Sequence, residues 1–174
     1  MTAVTKRARF LLAVLIVITG VGCDQATKQI AAQQLRGTPP ISFMHDLVRL
    51  QYAENQGAFL GLGNSLSPEL RFWLLTVGTA VLLLGLSIFL IVQWQLPRLS
   101  FIALSCVLAG GLGNMIDRLV HDGSVIDFLN LGLGSLRTGI FNIADVAVTG
   151  GVVLLWAASF RATPQLDEPT SHKE

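Results

Sequence analysis

Four apolar runs, separated by polar segments, dominate the hydrophobic pattern of the chain. The first run is short, but its pattern continues as an amphipathic helix through Lys28 to Gln34. A helix needs about 20 predominantly apolar residues to cross a bilayer, and the other runs have roughly that length between charged limits. The pattern therefore predicts four transmembrane helices, over Phe10 to Cys23 with its extension, Phe72 to Val92, Leu99 to Ile116, and the segment between Arg137 and Arg161.

Charges at the ends of these runs predict the orientation. Lys6, Arg7 and Arg9 precede the first run, and the positive-inside rule places them in the cytoplasm. Four spans return the C-terminus, with Arg161, to the same side. The bias is modest, because the segments on the other side carry Arg36, Arg49, Arg118 and Arg137.

Two segments, at about residues 35–68 and 119–138, are therefore expected in the periplasm. Within the first, the stretch from Leu47 to Ala53 mixes β-branched, aromatic and polar residues, which favours a strand. The predicted fold class is an all-α integral membrane protein with four transmembrane helices and a small β-containing periplasmic segment. We expect residues 1–162 to form a single membrane domain and residues 163–174 to form a disordered cytoplasmic tail.

Composition agrees with this class. Hydrophobic residues make up 52% of the 174 residues, charged residues only 13%, and the mean hydropathy is +0.61. A soluble domain carries about 25% charged residues. The net charge of +1 gives no reason to expect nucleic acid as a partner. Cys23 and Cys106 form no CxxC motif and the histidines have no zinc-protease spacing, so we expect no metal and no cofactor.

Two aspartates stand out as candidate catalytic groups. Asp127 follows the third run, and Asp145 lies near the start of the fourth. A charged side chain at membrane depth costs roughly 2.5–3.5 kcal/mol even on the lenient insertion scale, so it usually marks a function. Two carboxylates at one membrane face can share a proton and act as an acid/base pair. A helix N-terminus near Asp145 favours its ionised form, but the titration belongs to the pair, so the sequence leaves open which aspartate holds the proton.

Other polar residues fall at the same membrane face in this topology. Asn114, Asp117 and Arg118 have helical i, i+3 and i+4 spacing, and Asn142 lies three residues before Asp145. Scattered structural polar residues would not sort to one face. The candidate supporting residues are therefore Asp24, Lys28, Asn55, Gly57, Asn114, Asp117, Arg118 and Asn142.

Five short motifs in order carry a family resemblance. The chain resembles the bacterial lipoprotein signal peptidases (signal peptidase II) in Asp24-Gln25-Ala26-Thr27-Lys28, Asn55-Gln56-Gly57-Ala58-Phe59, Gly110-Gly111-Leu112-Gly113-Asn114-Met115-Ile116-Asp117-Arg118, Val125-Ile126-Asp127-Phe128 and Phe141-Asn142-Ile143-Ala144-Asp145. Each motif is weak alone, but the set covers the chain from the first span to the fourth.

The resemblance implies an aspartic endopeptidase of the bacterial inner membrane, with Asp127 and Asp145 as the catalytic pair at the periplasmic face. Its substrates would be diacylglyceryl-modified prolipoproteins, cleaved just before the lipidated cysteine. The implied partners are this lipid-modified prolipoprotein, membrane lipids and an inhibitor of the globomycin type. No cofactor is implied.

Plainer interpretations compete with these roles. Asp24 and Lys28, at i,i+4, could form only a surface ion pair, and Asp117 could cap interfacial structure. The glycines at 110, 111 and 113 are better explained by helix packing than by substrate contact. The start of the chain, ending in Cys23, also imitates a lipoprotein signal peptide, although three further spans follow. For the whole chain, the alternatives are a small transporter or proton channel and a non-catalytic assembly factor.

Overall fold

Four long helices form the membrane part of the protein. The computed structural model describes residues 5–57, 63 and 65–161, so the expected tail at 163–174 lies outside the described residues. All four helices are long and apolar enough to cross a membrane, which confirms the predicted spans. In chain order they are the first helix (Lys6–Leu35), the second (Pro68–Val92), the third (Arg98–Val120) and the fourth (Ile143–Arg161).

The first two helices extend beyond the apolar runs that predict them. With 30 residues, the first helix is about 45 Å long, more than the roughly 30 Å of a bilayer's hydrocarbon core. The second helix begins at Pro68, one turn before the predicted start, and the hydroxyl of Ser67 caps it by accepting a hydrogen bond from the Leu70 backbone N–H. Residues Phe72–Gly78 of the second helix form a π-helix.

The third helix is the centre of the bundle and packs against the other three. Its glycines permit this: a Cβ at Gly110 would lie 2.3 Å from the Ala144 carbonyl oxygen, and one at Gly111 would lie 2.4 Å from Leu83 Cδ2. The glycine cluster therefore allows close helix packing, as its spacing indicates. Around it lies an apolar core of Leu83, Leu90, Phe101, Leu108 and Met115.

A four-stranded antiparallel sheet covers one end of the bundle, which we call the sheet end. Its strands, in spatial order, are β1 (Ile41–Phe43), β2 (Val48–Asn55), β3 (Val125–Leu133) and β4 (Leu136–Arg137). The strand predicted between Leu47 and Ala53 is confirmed as β2. The expectation of β structure in the first segment alone was incomplete, because β3 and β4 come from the second segment and β3 pairs with β2.

Each face of the sheet has its own character, because cross-strand partners share a face. Ile41, Leu50 and Leu129 form an apolar row, whereas Ser42, Arg49 and Asn130 form a polar row on the other face. The apolar row packs, through Leu50 and Leu129, on a cluster of Ala31, Leu35 and Phe128. The sheet is thereby fixed to the end of the first helix, and the position of β3 is set.

Candidate active site

Asp127 is held on β3 by two side-chain amides. Its side chain is buried, with 2% of its surface exposed. Asn142 Nδ2 donates to one carboxylate oxygen at 2.7 Å, and Asn55 Nδ2 donates to the other at 2.9 Å. Asn55 reaches it diagonally across the sheet, since Ala53 of β2 is the register partner of Asp127. The pairing of β2 with β3 therefore orients this carboxylate.

Asp145 lies in the first turn of the fourth helix and takes part in its capping. The Asn142 backbone N–H donates to Asp145 Oδ2 at 3.1 Å, and the Asp145 backbone N–H donates to Asn142 Oδ1 at 2.9 Å. This reciprocal pair is a capping box. Asn114 Nδ2 on the third helix donates to Asp145 Oδ1 at 2.9 Å. Asn142 thus contacts both aspartates and fixes their relative position.

A very small cavity lies beside the two carboxylates. Asp127 and Asp145 both line it, and its volume is about 10 Å³. That is close to the smallest space that holds one water molecule. The remaining lining residues are Asn55, Gly57, Asn114, Arg118 and Val125.

Burial changes the acidity of Asp127. The pKa of Asp127 is raised to about 6, mainly because the carboxyl group is removed from water and also because of the negative charge of Asp145. The hydrogen bonds from Asn55 and Asn142 and the charge of Lys28 lower the pKa, but they offset only part of the effect. Asp127 therefore retains its proton to a higher pH than an ordinary aspartate.

A buried charged triad of Asp24, Lys28 and Asp117 lies next to the aspartate pair. Lys28 Nζ lies 2.8 Å from Asp24 Oδ2 and 3.1 Å from Asp117 Oδ2, and no more than 2% of any of the three side chains is exposed. The alternative of a surface ion pair between Asp24 and Lys28 is therefore wrong. Lys28 Nζ also donates to Asn114 Oδ1 at 2.9 Å, which connects the triad to the residues around Asp145.

Both carboxylates of the triad also accept backbone hydrogen bonds at the elements that carry the aspartate pair. Asp24 Oδ1 accepts the Ala144 N–H at 2.9 Å, next to Asp145, and Asp117 Oδ2 accepts the Ile126 N–H at 2.9 Å, next to Asp127. The capping interpretation of Asp117 is thus correct in part, since Asp117 also binds Lys28. The triad positions both elements of the pair.

Arg118 and Gly57 join the same network. Arg118 Nη2 donates to the Gly57 carbonyl oxygen at 3.2 Å, and the Gly57 N–H donates to Asn55 Oδ1 at 3.0 Å. The buried Arg118 Nε has no hydrogen-bond partner among the described residues. With these contacts, one continuous network of hydrogen bonds and ion pairs joins all ten residues that the sequence analysis selects. Their individual roles remain predictions.

Gln25 is a member of the network that the sequence analysis did not select. Its Nε2 donates to Asp117 Oδ1 at 2.8 Å and to the Gly113 carbonyl oxygen at 3.1 Å. Its position inside the motif Asp24-Gln25-Ala26-Thr27-Lys28 was the available signal. Among the described residues, no group of three or more His, Cys, Asp or Glu side chains could hold a metal ion.

An apolar groove leads to the aspartate pair from the side of the bundle. It has a volume of about 500 Å³ and runs between the second, third and fourth helices. Asp145, Asn114 and Arg118 line its polar end, and the rest of the wall is largely aliphatic, including Leu82, Leu86, Val107, Val148 and Val152. A long apolar segment in this groove would reach Asp145 from the side of the bundle.

Comparison with known proteins gives the family. Residues 15–161 match the family model described as "Signal peptidase (SPase) II". The chain belongs to the signal peptidase II family. A lipoprotein signal peptidase of Desulforapulum autotrophicum is 36% identical over 148 residues, which cover 84% of this chain and 90% of that protein. One of Staphylococcus aureus is 32% identical over 158 residues, which cover 91% of each chain.

Solved structures agree with this signal peptidase II assignment. A bacterial membrane enzyme determined by the in meso method at 2.3 Å resolution has a TM-score of 0.75, with 31% identity over 94% of this chain and 93% of the other. A second, at 1.9 Å, has a TM-score of 0.73 and 32% identity, and the match covers 87% of this chain and 94% of the other. The predicted family is thus confirmed, and the protein is an aspartic peptidase of the membrane. The transporter and assembly-factor alternatives are set aside.

Proposed function

We propose that Asp127 and Asp145 are the catalytic pair with which this signal peptidase II cleaves lipid-modified prolipoproteins. The observation that carries the proposal is that two carboxylates, from β3 and from the fourth helix, line one cavity with room for a single water molecule. The bond cleaved is the peptide bond just before the lipidated cysteine of the substrate. Water is the nucleophile.

The two carboxylates have different environments, which supports different roles for them. Asp145 accepts a backbone N–H at the start of a helix, a position that favours a negative charge. Asp127 has a pKa raised to about 6 by burial, which favours the protonated form. Asp145 is therefore the general base, and Asp127 is the general acid. The raised pKa keeps a proton available on Asp127 close to neutral pH.

The reaction needs only these two groups and water. Asp145 accepts a proton from the water as its oxygen bonds to the scissile carbonyl carbon, while Asp127 donates its proton to the carbonyl oxygen. In the second step one hydroxyl of the tetrahedral intermediate returns a proton to Asp127, and Asp145 gives its proton to the leaving nitrogen. The C–N bond then breaks, which releases a carboxylic acid and an amine and restores both aspartates.

Three asparagines position this pair. Asn142 donates to Asp127 and caps the helix that carries Asp145, whereas Asn55 and Asn114 each donate to one of the two carboxylates. Neutral amides hold the carboxylates without neutralising them, so the pair can still exchange one proton. A cation in hydrogen-bond contact would lower the pKa of the acid and impair its function.

The apolar groove is the proposed site for the signal helix of the substrate. It opens towards the lipid between the second, third and fourth helices and ends at Asp145. Arg118, at the same end, can donate a hydrogen bond to a substrate carbonyl through its Nε–H, which has no partner among the described residues. The substrate would enter sideways from the bilayer, with its lipidated cysteine held at the interface. Globomycin-type inhibitors would occupy the same site.

Replacement of each aspartate tests the catalytic proposal. Asp127→Asn and Asp145→Asn keep size but remove the exchangeable proton, so each should abolish release of the signal peptide from a purified lipidated prolipoprotein. Each variant should still bind substrate or globomycin. Asp122→Asn is the matched control, because Asp122 is exposed at a φ of 49°, which asparagine tolerates. Substantial turnover by either variant would refute the assignment.

We also propose that the sheet end faces the periplasm, with both chain termini in the cytoplasm. Basic residues in the first turn of the first helix support this orientation. In a protein without Cys23 and Cys106, cysteines placed at Ser65 and Ser135 should react with an impermeant reagent added outside intact cells. A cysteine at Gln95 should react only after permeabilisation. The reverse pattern would place the aspartate pair on the cytoplasmic side and contradict the proposal.

A further inference from the structure

The end of the bundle opposite the sheet is rich in positive charge. Four basic residues, Lys6, Arg7, Arg9 and Arg98, lie on the first turns of the first and third helices. None of them has a carboxylate partner among the described residues. All carboxylates among the described residues lie towards the sheet end, either on the helices or in the segments that join them there. They are Asp24, Asp46, Glu54, Glu69, Asp117, Asp122, Asp127 and Asp145.

The backbone adds to this positive potential. Helix N-termini carry a partial positive charge, so acidic side chains are favoured in a first turn and basic ones are not. The first turns of both helices contain no acidic residue, and the third helix has no side-chain cap. The basic residues therefore increase a potential that the helices already create, and this end of the protein attracts anions.

Two apolar cavities lie among these cations. One, of about 330 Å³, has Lys6, Arg7 and Arg9 at its charged rim and walls that include Phe10, Leu90 and Trp94. The other, of about 270 Å³, is lined by Arg98 together with Ala8 and Leu12, and it shares Arg9 and Phe101 with the first.

Arg9 is fixed between the two cavities. Its guanidinium donates to the Leu96 carbonyl oxygen, and its Cζ lies 5.6 Å from the centre of the Phe101 ring. A guanidinium has five N–H donors, so these contacts leave several for an anion. The cation is thus held in place beside apolar walls before any ligand arrives.

We propose that this basic end binds an anionic phospholipid, with the phosphate on the cations and the acyl chains in the two apolar cavities. A soluble phosphate would use the cations but leave the apolar walls without a partner. A neutral lipid would fill the cavities but bring no net negative charge to the four cations. An anionic phospholipid satisfies both features, and basic pockets between transmembrane helices are suited to such headgroups.

Fluorescence of Trp94 tests the proposal, because this half-buried tryptophan lines the larger cavity. Trp73 and Trp156 are 63% and 66% exposed and lie outside both cavities, so Trp73→Phe and Trp156→Phe leave Trp94 as the reporter. The full-length protein is placed in phosphatidylcholine bilayers that contain a small fraction of brominated lipid. Brominated phosphatidylglycerol should quench Trp94 at a several-fold lower mole fraction than brominated phosphatidylcholine does.

Variants that remove single positive charges test whether these cations bind the lipid headgroup. Each of Arg9→Gln and Arg98→Gln should weaken the preference for the anionic lipid about fivefold, which corresponds to about 1 kcal/mol per basic residue. Arg98 has no protein partner among the described residues, so its variant should fold normally. Arg36→Gln is the matched control, because it removes one charge at the sheet end and should leave the preference unchanged.

Three results would overturn the proposal. Equal quenching by the two brominated lipids would show that the cavities do not distinguish an anionic headgroup. A preference that survives in both Arg9→Gln and Arg98→Gln would place the anion elsewhere. Loss of the preference in excess inorganic phosphate, at constant ionic strength, would show a site for soluble anions. Persistence of the preference in inorganic phosphate is the expected result.

Discussion

Lys28→Met tests whether the buried charged triad stabilises the protein. Methionine has a side chain of similar length, so the change removes the ammonium group with little loss of volume. Two carboxylates, Asp24 and Asp117, then remain buried without the cation that lies 2.8 and 3.1 Å from them. Removal of one partner from a buried ion pair costs about 3–5 kcal/mol, because the other charge is left uncompensated.

The structure places this variant near the lower end of that range. Asp24 keeps the backbone N–H of Ala144, and Asp117 keeps that of Ile126, so both carboxylates retain hydrogen bonds after the substitution. We expect a loss of about 3 kcal/mol. For a chain of this size, each kcal/mol lowers the melting temperature by about 2–4 °C, so the expected shift is roughly 6–12 °C.

Unfolding of the purified protein in mixed micelles, followed by circular dichroism, measures this loss. Lys6→Met is the matched control on the same helix, and because Lys6 is exposed we expect a change within about 0.5 kcal/mol. The double variant Asp24→Asn/Lys28→Met should recover part of the stability, since it removes one charge of each sign. A loss for Lys28→Met no larger than that of Lys6→Met would refute a stabilising role for the triad.

Two further predictions concern helix packing and pH. Gly110→Ala should destabilise the protein by about 1–3 kcal/mol in the same assay, because its Cβ would collide with a backbone carbonyl, whereas Gly150→Ala, with nothing within 4 Å, should not. Equal stability of the two variants would contradict the packing argument. In the pH profile of kcat/KM, activity should fall as pH rises through about 6, where Asp127 loses its proton. Asn55→Ala removes a hydrogen bond that lowers the pKa of Asp127, so this decline should move to higher pH; a shift to lower pH would contradict the assignment.

Much of the fold could be predicted because the bilayer imposes simple rules on sequence. Each spanning helix needs a long apolar run. With four consecutive spans, the first and third connecting segments lie on the same side of the membrane. This is why Asn114, Asp127 and Asp145, far apart in the chain, could be assigned to one membrane face. The strand β2 was recognisable from its composition alone.

Contacts between distant residues could not be predicted in this way. An i,i+4 pair such as Asp24 and Lys28 has the same spacing whether it is exposed or buried, and the decisive partner, Asp117, lies on another helix. The pairing of β2 with β3 likewise joins two loops, and sequence patterns specify neither the partner nor the register. The role of Gln25 depends on the approach of the third helix, which local spacing does not reveal.

The buried triad also determines when the site can exist during synthesis of the protein. Asp24 and Lys28 enter the membrane with the first helix, but the Ala144 N–H that binds Asp24 is made 120 residues later. Until the third helix supplies Asp117 and Asn114, Asp24 and Lys28 have mainly each other as partners on one isolated helix. A chain that stops after its third helix therefore contains the charged triad but lacks Asp127 and Asp145 altogether.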